Sequence, residues 1–356
     1  MEALVDLYTD YLLSSTSQVS ATFLSKVLDN NISHDKFTRL LNSGIVSSRY
    51  LWQTAKPLCK EIASDSACLI LDDSVEAKPY SQCNSLISYH FDHTVGKSVK
   101  GVNFLSALFF SKEVSVPVGV EFVIKDEAYT KGGKTKYRSS ISKNELYRRL
   151  IAKASEQLRF RYILNDSWFC NAENMEFIHR ETQSYFVMAM KENRRVALSL
   201  EDKKAGKYIS IKEAVIEGCV LSVYVEQLDF PILITKQVFK NGDGSTGTLY
   251  LCSNDLSLTY EQITTIYKKR WKVEEYHKST KSNCSFPKSP TSSIIAQKSH
   301  FIACLLAFIK MERLKIKHRQ NHFALKTLIA ISGTKASMKT IAKLKSNKAR
   351  IVYKAA

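Results

Sequence analysis

The stretch YKKRWKVEEYHKSTK places two glutamates inside a dense run of lysines and arginines. If it forms one α-helix, successive residues turn by about 100°. One helical face of roughly 80° then carries five functional side chains, namely Tyr267, Arg270, Glu274, Lys278 and Lys281. Glu275 points away from that face.

This face suits a phosphodiester held at a metal ion. A carboxylate such as that of Glu274 binds a hard cation, and lysine or arginine side chains hold phosphate oxygens. A solvated helix would instead spread its charges over several faces and pair them at i, i+4. The spacing favours the metal site, with the ion-paired surface helix as the alternative.

Two further runs end in aspartates and are rich in strand-forming residues. ACLILDD ends in Asp72 and Asp73, and RYILND ends in Asp166. Successive side chains on a strand point to opposite faces, so we expect only one of Asp72 and Asp73 to reach a site. The alternatives are a cap or turn acceptor for Asp72 and a helix N-cap for Asp166.

The elements that must position these residues follow from local patterns. Residues 1–60 have helical spacing, with Ser33 as a candidate N-cap, and form either a small DNA-binding unit of the helix-turn-helix type or a helical lid. Alternating strand and helix patterns follow. They are strands at 67–73, 101–110 and 115–124, a basic loop at 131–138, a helix opened by Ser142 and Glu145, a strand at 161–166, a helix from Asn171 and a strand at 184–191.

The second half begins with a polar, β-rich segment at 192–247 that contains the turn signal NGDG at 241–244. One more strand, TLYLCSND, precedes a helical remainder. The order predicts an α/β protein with a mixed sheet and helices on its faces. It resembles the ribonuclease H-like fold, in which carboxylates lie on the first strand, after the fourth strand and on a late helix.

The net charge of +18 is concentrated at one end of the chain. Residues 262–356 contain 21 Lys/Arg and three carboxylates, whereas residues 1–261 sum to zero. Such an asymmetry predicts a polyanionic partner, with nucleic acid favoured over an anionic membrane surface. The longest apolar run near the C-terminus, FIACLLAFI, is far shorter than the roughly 20 residues that span a bilayer. With no signal-peptide layout at the N-terminus, we expect a soluble, non-secreted protein with reduced cysteines.

The residues of the opening stretch also carry a family resemblance. Tyr267, Arg270, Glu274 and Lys281 match Y-x2-R-x3-E-x6-K in full, which resembles the YREK signature of the insertion-sequence-four family of DDE transposases. LILDDS and YILNDSWF resemble the two aspartate strands of that family. YHFDHTVGKSVKGVNFLSALFF resembles the segment after the first aspartate. The similarity covers about residues 65–315.

The resemblance implies an acidic triad of Asp73, Asp166 and Glu274, with Asp73 preferred over Asp72 because the family pattern has Ser or Thr after the aspartate. The triad would hold two divalent ions, most naturally Mg²⁺, with Mn²⁺ as a substitute. Tyr267, Arg270, Lys278 and Lys281 would hold DNA phosphates.

The resemblance also implies the substrate and the assembly. We expect binding to double-stranded DNA at the terminal inverted repeats of an element and at target DNA, as a homodimer across paired ends, in the bacterial cytoplasm or nucleoid. Cut-and-paste relatives stack a flipped base on a tryptophan in the β-rich insertion. This sequence has no tryptophan between 172 and 270. Either another aromatic residue replaces it, with Tyr185, Tyr208, Tyr224 and Phe239 as candidates, or the hairpin step of these relatives works differently here.

The predicted organisation has five parts: a helical region at 1–60, the first part of a catalytic core at 65–191, a β-rich insertion at 192–247, the rest of the core at 248–293 and a basic helical region at 294–356. Two other functions stay open. One is a ribonuclease H-like nuclease that cuts DNA without joining it, and the other is a metal-independent DNA-binding regulator.

Overall fold

A computed structural model describes residues 1–92, 95–240 and 242–346. The N-terminal helices are α1 (Glu2–Ser14), α2 (Ala21–Val27), α3 (His34–Asn42) and α4 (Ser48–Ile62). The first strands are β1 (Cys68–Ala77), β2 (Ser88–Asp92), β3 (Lys97–Ser111), β4 (Val114–Phe122), β5 (Glu127–Lys131) and β6 (Lys134–Arg138).

The central elements alternate between helix and strand. They are α5 (Lys143–Ser155), β7 (Tyr162–Asn165), α6 (Ala172–Glu181), β8 (Tyr185–Met190), β9 (Arg195–Val196), α7 (Leu200–Lys204), β10 (Ile209–Ser210) and α8 (Ile211–Ala214). The last strands are β11 (Val220–Tyr224), β12 (Pro231–Lys240) and β13 (Thr246–Ser253). The final helices are α9 (Tyr260–Lys268), α10 (Trp271–Asn283), a 3₁₀ turn (Phe286–Lys288), α11 (Ile294–His318) and α12 (His322–Ser346).

One large mixed sheet organises the described part of the chain. Its order is β11-β12-β13-β8-β7-β1-β3-β2, and β4 pairs with the same strand, β3, as β2 does. β1, β7 and β8 are parallel to one another, whereas the other pairs in this sheet are antiparallel. The predicted α/β class with a mixed sheet is confirmed, and it is consistent with a ribonuclease H-like core.

Most local predictions agree with the structure. Ser33 and Ser142 accept hydrogen bonds from the backbone N–H groups of Asp35 and Glu145 as helix N-caps, and Asn171 caps α6 in the same way. The first strand is longer than predicted, because its antiparallel pairing with β3 continues to Ala77 beyond the two aspartates. Asn241, the first residue of the NGDG turn, lies outside the described residues.

The prediction of a basic loop at 131–138 is wrong. β5 and β6 form a hairpin whose turn contains Gly132 and Gly133, both with positive φ. Two consecutive positive φ values are what a type I′ hairpin turn requires, and glycine adopts them without strain. The strands on either side are short and polar, so they lack the alternation of apolar residues from which strands are predicted.

The β-rich segment at 192–247 extends the large sheet. β12 pairs with β13, which pairs in turn with β8, and β11 pairs with the outer side of β12. β9 and β10 form a separate two-stranded sheet. The segment therefore continues the hydrogen-bonded ladder of the core.

Helix α11 joins the N-terminal helices to the sheet. It contacts α1, α3, α4, α10, α12 and β4. Its length and composition alone would allow it to cross a membrane. However, 78% of its apolar 18-residue stretch is buried inside the protein, as in a core helix. Within it, His300 lies with Nδ1 3.0 Å from the hydroxyl of Tyr8 on α1. α12, in contrast, is largely exposed and carries Lys335, Lys339, Lys343 and Lys345.

Candidate active site

The three carboxylate-bearing segments meet at one edge of the sheet. Parallel pairing of β1 with β7 ends at Ile70 opposite Leu164, and Asp72 and Asp73 follow on β1. Asp166 follows the last residue of β7. The carboxyl ends of neighbouring parallel strands open into a crevice of the kind that holds ligands in α/β sheets. Glu274, in the first turn of α10, faces this crevice from a helix.

The crevice is a cleft of about 680 Å³ with a mixed lining. Among the described residues, five carboxylates line it: Asp72, Asp73, Asp92, Asp166 and Glu274. Its cations are Lys191, Lys278 and Lys281. The prediction that only one of the two adjacent aspartates reaches the site is wrong. Beyond Ile70 the β7 side of β1 is open, so both side chains border the cleft although they have different partners.

Asp73 is held by neighbours across the sheet. Its Oδ2 atom lies 2.7 Å from Nζ of Lys143 and accepts a hydrogen bond of 3.2 Å from Nδ2 of Asn103. The same ammonium lies 4.4 Å from the ring centroid of Trp168, another lining residue. In this arrangement Lys143 supplies a positive charge directly beside the carboxylate.

Asp72 faces α10 and the other carboxylates. Its Oδ2 atom is 3.9 Å from Nη1 of Arg270, and that same nitrogen is 3.3 Å from Oε1 of Glu274. Burial raises the pKa of Asp72 well above its usual value, and the charges of Asp166 and Glu274 raise it further, while Arg270 opposes them. Negative charge in this corner therefore exceeds what one guanidinium compensates.

Asp166 begins a turn as well as lining the cleft. Its Oδ1 atom accepts a hydrogen bond of 3.0 Å from the backbone N–H of Trp168. Burial raises the pKa of Asp166, the Asp73 charge adds to that rise, and the Trp168 hydrogen bond opposes it. The N-cap of α6 is Asn171, so Asp166 is not the cap that the sequence left open.

His277 is a site residue that the sequence reasoning missed. An imidazole nitrogen of His277 and one carboxylate oxygen each from Asp72 and Glu274 lie within 4.8 Å of one another. His277 is 8% exposed, and its buried Nε2 atom has no hydrogen-bond partner among the described residues. Burial, with the charges of Lys281 and Arg270, lowers its pKa to about 3, which keeps the ring neutral at physiological pH.

The helix carrying the opening stretch is broken, which corrects the single-helix prediction. Around Lys269 and Arg270 the backbone makes i→i−3 hydrogen bonds, from Arg270 to Tyr267 and from Val273 to Arg270. This tighter turn separates α9 from α10. On a single helix Trp271 would point off the face that carries Glu274, which predicts that it packs in the core; instead it is 61% exposed at the junction.

The predicted phosphate-binding residues are placed at different depths. Lys278 and Lys281 line the cleft, and Nζ of Lys281 lies 3.2 Å from Oγ of Ser74. Tyr267 is buried with the Arg270 guanidinium 5.8 Å from its ring centroid. Glu275 points away as predicted and pairs with Lys272 at 3.3 Å. Contact of these groups with DNA stays a prediction.

The aromatic residues at the cleft are not those expected in the insertion. Among the described residues, the Phe, Tyr and Trp side chains that line it are Phe91 and Trp168. Phe91 lies on β2, which the sequence pattern did not predict. A search for aromatics that is restricted to the insertion therefore overlooks them.

Clustered carboxylates at a sheet edge are typical of enzymes that cleave nucleic acid with divalent metal ions. Family comparison agrees. Residues 1–207 match the DDE superfamily endonuclease family, and residues 137–310 match the transposase DDE domain. The first match covers more than half of the chain, which belongs to the DDE superfamily endonucleases. No individual curated protein matches the chain significantly.

Membership gives a transposase or endonuclease function that acts on DNA. DDE endonuclease domains typically use divalent metal ions, and the acidic lining of the cleft fits that requirement. The oxygen donors are the ligands that hard divalent cations prefer. The raised pKa values of Asp72 and Asp166 indicate excess negative charge that a cation would neutralise.

Proposed function

We propose that the protein is a transposase of the insertion-sequence-four type. It binds the terminal inverted repeats of its own element as a homodimer, nicks at the element boundary and joins the freed 3′ ends to target DNA. It is soluble and acts in the bacterial cytoplasm or nucleoid. The observation that carries this proposal is the convergence of Asp72, Asp73, Asp166 and Glu274 in one cleft that also contains three lysines.

Asp73, Asp166 and Glu274 are the proposed catalytic carboxylates. They would hold two divalent ions, Mg²⁺ or its substitute Mn²⁺, which supply Lewis-acid stabilisation of the attacking and leaving oxygens. Lys143, now 2.7 Å from Asp73, neutralises that carboxylate in the free protein. Its long side chain can then turn to a phosphate of the substrate.

The cationic residues orient the DNA. Lys278 and Lys281 bind phosphates beside the scissile bond, because both line the cleft. Arg270 spans Asp72 and Glu274, so it holds the acidic corner together and presents its remaining N–H donors to a phosphate oxygen. Tyr267 acts from beneath the guanidinium and fixes its orientation.

The chemistry consists of two displacements at phosphorus. In nicking, water attacks the phosphodiester at the element end, the bond to the 3′ oxygen breaks, and the products are a 3′-hydroxyl and a 5′-phosphate. In joining, that 3′-hydroxyl attacks a target phosphodiester. A new phosphodiester forms and the target 3′ oxygen leaves with a proton.

The test uses the full-length protein, Mg²⁺ and a labelled duplex that carries the element's own end, with wild type compared with Glu274→Gln. We expect nicking at the boundary to fall by roughly 10³-fold or more, as for loss of a major electrostatic group, while DNA binding is retained. The matched control is Glu275→Gln, one position along the same helix, which should nick like wild type because Glu275 pairs with Lys272 away from the cleft.

The products decide between the remaining functions. Joined strands support the transposase, whereas nicking without joining selects a plain DNA nuclease. If wild type and Glu274→Gln bind the end equally and neither cuts with any divalent metal, the catalytic role of the cleft is refuted. The protein would then be a DNA-binding regulator.

A further inference from the structure

We infer that His277 is a nitrogen ligand in the cleft, so that Asp72, Glu274 and His277 together bind one divalent cation and favour Mn²⁺ over Mg²⁺. The inference deepens the proposed function, since the site shares Glu274 with the proposed catalytic carboxylates. It assigns to His277 and Asp72 a role that an all-carboxylate triad of Asp73, Asp166 and Glu274 does not include.

The first argument is geometric. One donor atom from each of the three residues lies within 4.8 Å of the others, which a single ion with ordinary ligand distances can bridge after small side-chain movements. Glu274 and His277 have an i, i+3 spacing on α10, so they share a helical face. Asp72 approaches that face from β1.

The second argument is the unsatisfied imidazole. A buried polar atom without a partner costs about 1–3 kcal/mol, so such atoms are rare unless they serve a function. His277 borders the cleft and is 8% exposed, and within the described part of the chain its Nε2 atom has no hydrogen-bond partner. A cation in the cleft would give the ring a partner on the side that it shares with Asp72 and Glu274.

The third argument concerns the counter-charge. Arg270 places Nη1 3.3 Å from Glu274 and 3.9 Å from Asp72, so a guanidinium already sits between two of the three ligands. A bound divalent ion would compete with those contacts and free Arg270 for a phosphate. Metal binding and phosphate binding by Arg270 are therefore expected to support each other.

The nature of the ligands sets the metal preference. Mg²⁺ is bound almost entirely through oxygen and keeps several water molecules. Imidazole suits transition-metal ions, and among the ions relevant to DNA cleavage this favours Mn²⁺. A mixed site with one nitrogen and two carboxylates should therefore discriminate between the two ions more strongly than the oxygen ligands alone.

The experiment measures Mn²⁺ binding to the full-length protein without DNA, by calorimetry and by pulsed electron paramagnetic resonance, which detects ¹⁴N next to bound Mn²⁺. Wild type should bind Mn²⁺ with an imidazole nitrogen signal. His277→Gln should lose that signal and bind Mn²⁺ at least roughly tenfold more weakly, since even indirect contacts to metal ligands are worth 10- to 100-fold. Its preference for Mn²⁺ over Mg²⁺ should shrink.

The matched control is His322→Gln. His322 is also buried, but it faces away from the cleft toward Glu312 and contacts Ser279 on the other side of α10. Its replacement should leave the nitrogen signal unchanged. Wild-type Mn²⁺ binding without a nitrogen signal, absence of Mn²⁺ binding, or a signal that persists in His277→Gln would each overturn the inference.

These outcomes are separable from those of the proposed function. Nicking by a wild-type protein that lacks the nitrogen signal refutes the role of His277 and leaves the nuclease chemistry intact. If the nitrogen signal is present but the protein fails to nick DNA with every divalent metal ion tested, the metal-binding site stands and the catalytic function is refuted.

Discussion

Ionisable groups lie on both sides of helix α10, but their charges are balanced differently. On the side away from the cleft, Glu275 pairs with Lys272 at 3.3 Å, and Glu312 contacts Lys315 at 2.7 Å and His322 at 3.2 Å. On the cleft side, the Arg270 guanidinium is shared between Asp72 and Glu274.

The pKa values express this difference. Burial and neighbouring carboxylates raise the pKa of Asp72 well above its usual value, and burial raises that of Asp166. Uncompensated negative charge in a cleft is costly in the free protein, and a cation bound there recovers that cost. The paired side stabilises the fold, and the cleft side, where negative charge exceeds the nearby positive charge, prepares the protein for a metal and a phosphate.

The adjacent aspartates on β1 give the largest expected effect. Asp73→Asn should reduce nicking by roughly 10³-fold, and added metal should not restore it, because a proposed catalytic ligand is lost. Asp72→Asn should weaken metal binding, so its activity should recover largely as Mn²⁺ is raised. The measurement is nicking rate against metal concentration. Equal rescue of both variants would contradict the assignment of Asp73.

The paired side should respond in stability and not in activity. Glu312 is 3% exposed and accepts a hydrogen bond from the backbone N–H of Ser115 in addition to its contacts with Lys315 and His322. Glu312→Gln should lower the free energy of unfolding by about 2 kcal/mol, because buried partners lose a charged acceptor. Urea denaturation measures the change. The folded fraction should nick DNA at the wild-type rate. A large loss of nicking would contradict the prediction that Glu312 acts on stability alone.

The smallest expected effect is a pH dependence of the metal-free protein. The pKa of Asp72 is raised in the folded protein, so between the ordinary aspartate pKa and the raised one the folded protein keeps a proton that the unfolded chain has released. The free energy of unfolding therefore falls as pH rises through that range. Asp72→Asn removes this pH-dependent loss of stability. Its melting temperature in the presence of chelator should match wild type in acid and exceed it by a few degrees at about pH 8. In saturating Mn²⁺ the wild type should instead have the higher melting temperature.

The sequence predicted best what depends on neighbouring residues. The strands that carry Asp72, Asp73 and Asp166, and the caps at Ser33, Ser142 and Asn171, all follow from local periodicity and turn chemistry. The β5–β6 hairpin and β2 were missed because their strands are short and partly exposed. The insertion's place in the main sheet also depends on pairing between distant strands, which local patterns do not encode.

Contacts between distant segments could not be predicted in the same way. Lys143 reaches Asp73 across 70 residues of sequence, and no local pattern of α5 distinguishes it from other cations. His277, however, had a visible signal, since about 100° per residue places it beside Arg270 on the helical face that was already singled out. Attention to lysine and arginine alone left it unnoticed.

The central position of α11 has a consequence for shortened copies of the gene. Because α1, α3 and α4 cover this apolar helix, a product that lacks the first 62 residues would expose a hydrophobic surface and lose the contact between Tyr8 and His300. Such a product would be prone to aggregation and proteolysis.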